Sequence, residues 1–415
     1  MSATNVLSRR GNQAPSAGQL MVVSGLGLLF DAMDVGLMSF VLTSVAKQWH
    51  LLPGTQGLIG SISFAGMAIG SALSGLLADK FGRKPMFLWT LLIYSIATGL
   101  TGLASGVGIF IVLRFLVGFG LGGELPVATT YVSESSPPEV RGRRVVLLET
   151  FWAGGSLVAA IVSAFILPSM SWRFVFLIGA IPALYTLVLR TALPESPQFS
   201  KSSKSKDTGS FRKSFGMVWS GPLLRATIVT WVLWFVMNFA YYGMFFWLPS
   251  VMYMKGYGLV HSTDYVLIMT IAQVPGYLTA AWLVEKWGRK RTLVPFMLLA
   301  GLSALGFGFS HSTAELIVCG LLLSYFMLGS FGATYVFTVE QFPVVSRATG
   351  IGWAAGFGRI GSIIAPSLVG SMIAANIAFH SIFIVFFSAL LVGFIVVGLF
   401  GRETTNLYVD ETSRG

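Results

Sequence analysis

GLLADKFGRK at residues 75–84 returns as AWLVEKWGRK at 281–290, so Asp79, Gly82, Arg83 and Lys84 align with Glu285, Gly288, Arg289 and Lys290 at an offset of 206 residues (79 to 285). The same offset carries Glu134, Pro137 and Arg141 onto Glu340, Pro343 and Arg347 (134 to 340). Two pairs of segments that share one offset point to an internal duplication. Each copy lies where a long apolar run ends in a basic turn, so the repeated unit is a bundle of membrane-crossing segments, an arrangement on which secondary transporters are built.

Composition supports that reading. Hydrophobic residues make up 54% of the 415 residues and charged residues 10%, against roughly 25% charged in an ordinary soluble domain. A helix needs about 20 mainly apolar residues to cross a bilayer. The chain divides into twelve such stretches, near 20–46, 55–78, 86–106, 107–132, 144–168, 171–192, 221–252, 262–284, 292–311, 312–338, 348–373 and 377–400. The expected fold is an all-α membrane protein of twelve transmembrane helices in two pseudo-symmetric six-helix bundles. An N-terminal segment at 1–19 precedes the first bundle (20–192), a linker at 193–220 carrying KSSKSK (201–206) leads to the second (221–400), and a tail at 401–415 ends the chain.

The net charge of +11 does not imply a nucleic-acid partner, because of where the charges fall. Of 27 Lys and Arg, Lys47, Arg173 and Lys255 lie on the side opposite the N-terminus and Arg114 and Arg359 lie inside spans, which leaves 22 on one side. That bias places both termini and the basic turns in the cytoplasm of a multi-pass protein of the cell (inner or plasma) membrane. The first apolar run is too long for a cleaved signal and reads as a retained span. Cys319 is the one cysteine, so no intramolecular disulfide forms, and His50, His261, His311 and His380 show no metal-ligand spacing. With no metal site, nucleophile triad or phosphate loop, an enzyme is not expected; GFGLGG at 118–123 falls inside a span and reads as close helix packing. No cofactor is expected beyond a proton gradient, and a monomer in the lipid bilayer is the expected state.

The GxxxDKxGRK pattern between the second and third spans, its weaker copy between the eighth and ninth, and the two six-span halves resemble the major facilitator superfamily over essentially the whole chain. ESSPPEVRGR (134–143) and PESPQF (194–199) resemble its sugar porter and organic ion transporter branch. FDAMDVGLMSF (30–40) is similar to the first span of metabolite:proton and aromatic acid:proton symporters, nearest to bacterial niacin permeases. FAYYG (239–243) resembles the seventh span of organic anion transporters.

An ionisable side chain inside a span costs about 2.5–3.5 kcal/mol on insertion scales, so each is a functional candidate. Five stand out: Asp31, Asp34, Arg114, Glu124 and Arg359. Asp31 and Asp34 share one face of the first span near mid-bilayer, where two carboxyls cannot both ionise cheaply and one can carry a proton across. The alternative is a pair of structural acids. Resemblance to sugar porters implies that Asp34 pairs with Arg114 and that protonating Asp34 releases the arginine. Glu124, beside Pro126, is a candidate proton relay or inner-gate lock.

Arg359 keeps its charge and needs an anion, either a substrate carboxylate or an internal partner such as Glu124 or Asp31. Resemblance to organic anion transporters implies the carboxylate. Trp234, Asn238, Tyr241 and Phe245 recur at helical spacing on the seventh span. With Tyr242, Gln273 and Tyr325 they form the candidate substrate-binding set for a flat aromatic acid. The repeated motifs supply a candidate gate: Asp79, Arg83, Glu134, Arg141, Glu285, Arg289, Glu340 and Arg347, with Glu134–Arg141 and Glu340–Arg347 as candidate bridges between halves. The function these readings converge on is proton-coupled symport of a small organic anion, an aromatic monocarboxylate such as nicotinate. Proton-antiport multidrug efflux and a non-cycling transporter-like sensor are the alternatives.

Overall fold

A computed structural model describes residues 17–81, 83–134, 138–191, 216, 218–343 and 347–404. Side chains are described for these apart from 17–20, 23–24, 74–88, 123–143, 145–146, 182–191, 222, 259–260 and 347–348. In a bilayer every backbone N–H and C=O must be satisfied within the protein, and a helix does this segment by segment. The described secondary structure is accordingly helical: α1 (Ala17–Trp49), α2 (Pro53–Phe81), α3 (Arg83–Thr101), α4 (Val107–Glu134), α5 (Pro138–Ile166), α6 (Trp172–Thr191), α7 (Gly221–Met252), α8 (Leu259–Ile271), α9 (Gln273–Lys286), α10 (Arg289–Phe309), α11 (Thr313–Gln341), α12 (Arg347–Ala374) and α13 (Phe379–Phe400). α8 and α9 together form one span, interrupted at Ala272. Pro275 accounts for the interruption, because it lacks the N–H that Ile271 would accept and its ring crowds that carbonyl. Twelve spans result. Among the described residues nine segments are long and apolar enough to cross a membrane, and three shorter apolar helices lie at Trp89–Thr101, Val107–Gly122 and Trp172–Ile181.

Helix contacts follow the duplication. α1 packs on α5 and α6, α2 on α4, and α3 on α4 and α6; α7 packs on α12 and α13, α9 on α11, and α10 on α11 and α13. The two groups meet through α1–α7, α2–α12 and α5 against α8 and α9. The α2–α12 and α5–α8/α9 contacts are the same interface related by the repeat. GFGLGG proves to be a packing element: a Cβ on Gly118 would collide with the Ser63 carbonyl and one on Gly122 with that of Met67, so α4 lies backbone to backbone on α2.

On the face away from the N-terminus the two groups are shut against each other. The Ser39 hydroxyl donates to the Phe245 and Phe246 carbonyls at 3.0 and 2.6 Å, and Thr43 and Ser250 share a 3.0 Å hydrogen bond. Ser61 and Ser367 lie 2.7 Å apart across the same seam, and within the second group Trp247 of α7 donates from Nε1 to the Pro366 carbonyl of α12 at 3.1 Å. Ser39 and Phe245 are 206 residues apart, the repeat offset itself.

Candidate functional site

Two chambers lie inside the bundle. The smaller is lined by Asp34, Val35 and Met38 of α1, Ser63, Phe64 and Met67 of α2, Val117, Gly118 and Leu121 of α4, and Phe246 of α7. At its wall Arg114 of α4 and Asp34 form the ion pair that the sequence led us to expect: Nη1 is 3.3 Å from Oδ2 and 3.5 Å from Oδ1. Arg114 also donates from Nη2 to Thr101 at 2.9 Å, and its guanidinium lies 4.7 Å from the Phe176 ring centre. Thr98 donates to Asp34 at 3.4 Å. Both charges are almost wholly buried, at 1% and 5% side-chain exposure. Two ions taken out of water at this depth hold only because each satisfies the other, and the state in which they are joined is lost when one is neutralised. Asp31, one turn earlier, is fully buried.

The larger chamber holds about 370 Å³, its mouth included, and lies between the two groups. α5 contributes Glu149 and Trp152, α7 Trp234, Asn238, Tyr241 and Tyr242, α9 Tyr277, α11 Leu328, Phe331 and Tyr335, and α12 Arg359. The walls are aromatic rings set edge to face. Trp234 meets Tyr335 at 4.9 Å and 84°, Tyr241 meets Phe331 at 5.6 Å, and Trp152 meets Tyr242 at 6.5 Å and 82°. Their polar ends are tied back into the protein: Trp152 donates to the Tyr241 hydroxyl at 3.0 Å, Trp234 to Thr338 at 2.9 Å, and Asn238 to the Trp234 carbonyl at 2.8 Å. Tied in this way, the ring faces are fixed before a ligand arrives, which lowers the ordering cost of binding. Arg359 reaches the Tyr242 hydroxyl at 3.5 Å and is the cation among the lining residues. Phe64 is the partition between the chambers: it lines the smaller one, and its ring centre is 4.3 Å from that of Tyr242 in the larger.

The structure thus gathers Arg359, Trp234, Asn238, Tyr241 and Tyr242 into one chamber. Three other sequence candidates lie outside its lining. Phe245 packs its ring on Tyr241 at 5.0 Å while its carbonyl takes the Ser39 hydroxyl. Tyr325 packs with Phe296 and Phe326 at 6.1 and 5.1 Å, one face away from Leu328, Phe331 and Tyr335. Gln273 is buried at the N-terminus of α9. Glu149, which the sequence reading passed over, is 3% exposed and faces the chamber. Placing the fifth span from residue 144 puts Glu149 near an end, whereas α5 begins at Pro138 and sets it three turns in.

At the end of the bundle nearest the termini, Gly288 adopts φ +109°, a left-handed conformation that explains the glycine in the repeated motif. Arg289 beside it pairs with Glu340 at 2.9 Å, and Glu340 also accepts from Thr404. Glu403 receives the backbone N–H groups of Arg289 and Arg291 at 2.9 and 3.0 Å, an anion on the first turn of α10. Glu340 and Arg289, taken from the two repeated motifs, therefore meet inside one half, and Glu285 is exposed. The side chains of Asp79, Arg83, Glu124, Glu134, Arg141 and Arg347 lie outside the described residues.

Comparison with known proteins places these features in a family. The chain matches the Major Facilitator Superfamily over residues 25–276 and 265–414. It is 47% identical over 395 residues to the NiaP protein of Bacillus subtilis (95% of this chain, 98% of that one). It is 44% identical over 411 residues to the niacin transporter NiaP of Acinetobacter baylyi (93% and 94%). The inward-open structure of the xylose transporter XylE from E. coli superposes with a TM-score of 0.77 at 19% identity, covering 94% of this chain and 97% of XylE, a likeness of fold. A superfamily match along nearly the whole chain, full-length relatives above 40% identity and a duplicated twelve-span bundle lead to one statement: this multi-pass membrane protein is a transporter of the major facilitator superfamily.

Proposed function

We propose that the protein is a proton-coupled symporter that takes up a small aromatic monocarboxylate, with nicotinate the favoured substrate, by alternating access across the cell membrane. The observation that carries this is the larger chamber, an aromatic cage with one guanidinium, Arg359, among its lining residues. A flat acid stacks its ring on the cage walls and gives its carboxylate to the arginine, which accepts planar anions with two parallel N–H donors. Two relatives support the class: the Acinetobacter baylyi protein carries niacin in its name, and a 29% identical relative from Corynebacterium glutamicum is a gentisate transporter. Both names are those of flat aromatic acids.

The buried Asp34–Arg114 pair supplies a proton step. A proton delivered to Asp34 frees Arg114 from its counter-charge and unlocks α1 from α4, and its release on the other side restores the pair. Phe64 joins this event to the cage, because a shift of α1 or α4 moves the ring that presses on Tyr242. With both termini cytoplasmic, the closed face made by Ser39, Thr43 and Ser61 is the outer gate. The test is uptake of radiolabelled nicotinate into proteoliposomes with and without an inward proton gradient. Accumulation above equilibrium that needs the gradient, with nicotinamide a poor competitor, is the expected result. Transport of lipophilic cations with no requirement for a carboxylate refutes the reading.

A further inference from the structure

Glu149 lies about eleven residues along α5 and Arg359 about twelve along α12, so at roughly 1.5 Å per residue both are about 17 Å from the starts of helices that occupy matching places in the two halves. They line the same chamber without an ion pair between them, Arg359 being turned to the Tyr242 hydroxyl at 3.5 Å. Glu149 is buried, and its Oε1 has no hydrogen-bond partner among the described residues. Among the described residues the titratable groups that line the chamber with it are Tyr241 and Tyr242 from α7, Tyr277 from α9, Tyr335 from α11 and Arg359 from α12, and Asp31 of α1 is buried nearby on the helix that packs against α5. None of the tyrosines brings a positive charge. Arg359 is thus the one facing cation in the chamber lining, and Glu149 and a bound carboxylate would both draw on it.

We propose that Glu149 balances the charge of Arg359 across the empty chamber and takes up a proton when a substrate carboxylate binds the arginine, so that each anion enters the chamber together with one proton. The inference rests on the carboxylate reading above. Its basis is charge balance around a buried carboxyl. One carboxylate and one guanidinium balance; a second carboxylate leaves an unpaired buried anion, which is far more costly than protonating one of the two. The balance is simple. An aqueous proton bonds to a Glu149 oxygen, the Arg359 N–H groups turn to the substrate carboxylate, and on substrate release the proton leaves Glu149, whose charge again balances that of Arg359. No other bond is made or broken.

The experiment uses purified full-length protein and nicotinate. Proton uptake on ligand addition is followed with a pH indicator in weakly buffered detergent solution, and affinity is measured by calorimetry across pH. At alkaline pH, where Glu149 is ionised in the empty chamber, the wild type is expected to take up about one proton per nicotinate and to bind about tenfold tighter for each unit by which pH falls over that range. Glu149→Gln carries a permanently neutral side chain. It is expected to take up about none, to bind with little dependence on pH, and to bind at alkaline pH at least tenfold tighter than wild type. Glu149→Asp restores the dependence. Wild-type binding with no proton uptake overturns the proposal however the variants fold. An unchanged pH profile in Glu149→Gln overturns it while leaving the carboxylate reading in place. Failure of the wild type to bind any aromatic carboxylate overturns that reading and the Glu149 proposal with it.

Discussion

Neutralising one member of the Asp34–Arg114 pair should cost more than removing both. At 3.3 Å and an effective dielectric of about 20, their attraction is about 5 kcal/mol. Asp34→Asn leaves the guanidinium buried against Thr101 and the Phe110 and Phe176 rings, with no anion at 3.3 Å. Breaking such a pair by removing one partner costs about 3–5 kcal/mol. Arg114→Gln leaves Asp34 in the same position with only Thr98 as donor. In the double variant neither charge is present, so a coupling of about 3 kcal/mol between the two sites is expected. The measurement is thermal unfolding followed by a thiol-reactive dye, since Cys319 is the one thiol in the chain and reports without ambiguity. Each single variant should lose roughly 5 °C or more in midpoint, and the double variant should recover much of it. Additive losses, to within about 0.5 kcal/mol, refute the argument that the pair is one electrostatic unit.

Arg359→Ala removes the anchor of the proposed carboxylate site. It should weaken nicotinate binding by about 2–5 kcal/mol, about 30-fold to several thousand-fold, while changing nicotinamide binding little; equal losses for acid and amide contradict the assignment. Gly57→Trp places a side chain where even a Cβ would sit 2.5 Å from the Pro366 carbonyl, so the outer gate should fail to close. Substrate binding should persist while uptake falls to background, and normal uptake would show that this contact is not a gate. Glu403→Gln removes a charge from the first turn of α10 and should lower the thermal midpoint by the equivalent of about 0.3–1 kcal/mol, reduced further by added salt if the effect is electrostatic.

The twelve spans and their division into two repeated halves were legible in the sequence because the bilayer leaves the backbone one local solution and the offset between the two DK/EK-GRK motifs reveals the duplication. Asp34 and Arg114 were legible for a related reason: charges are so costly inside spans that each one stands out. The orientation of the helices was harder to read. A helix that is apolar all round, such as α11, carries no period to tell which stripe faces inward. Tyr325 was therefore named as a cage residue, while Phe331 and Tyr335, which line the chamber one face away, were passed over. Glu149 was hidden by a boundary. Basic residues at 141–144 suggested that the span begins there, while α5 starts at Pro138, and three turns of helix change an interfacial acid into a buried one. Glu340 carries a further lesson. Its partner is Arg289, from the other repeated motif of the same half, a pairing that no sequence spacing signals.

The hydroxyl of Ser39 bonded to the carbonyl of Phe245 joins a residue to its own counterpart in the repeat. Self-pairing of that kind is what a two-fold axis produces when two copies of one surface meet, as in an isologous homodimer. The α1–α7 contact is thus a dimer seam carried within one polypeptide. In two separate chains this seam would hold at the mercy of protomer concentration, and both copies of every position would have to change together. Joined by a linker, the halves stay at a fixed, high effective concentration, and each position is free to differ from its twin. The chamber draws on that freedom: Glu149 sits in the half whose counterpart position holds Ala355, and Arg359 in the half whose counterpart holds Ala153. A carboxylate and a guanidinium can face each other across the seam because fusion released the two copies from sequence identity.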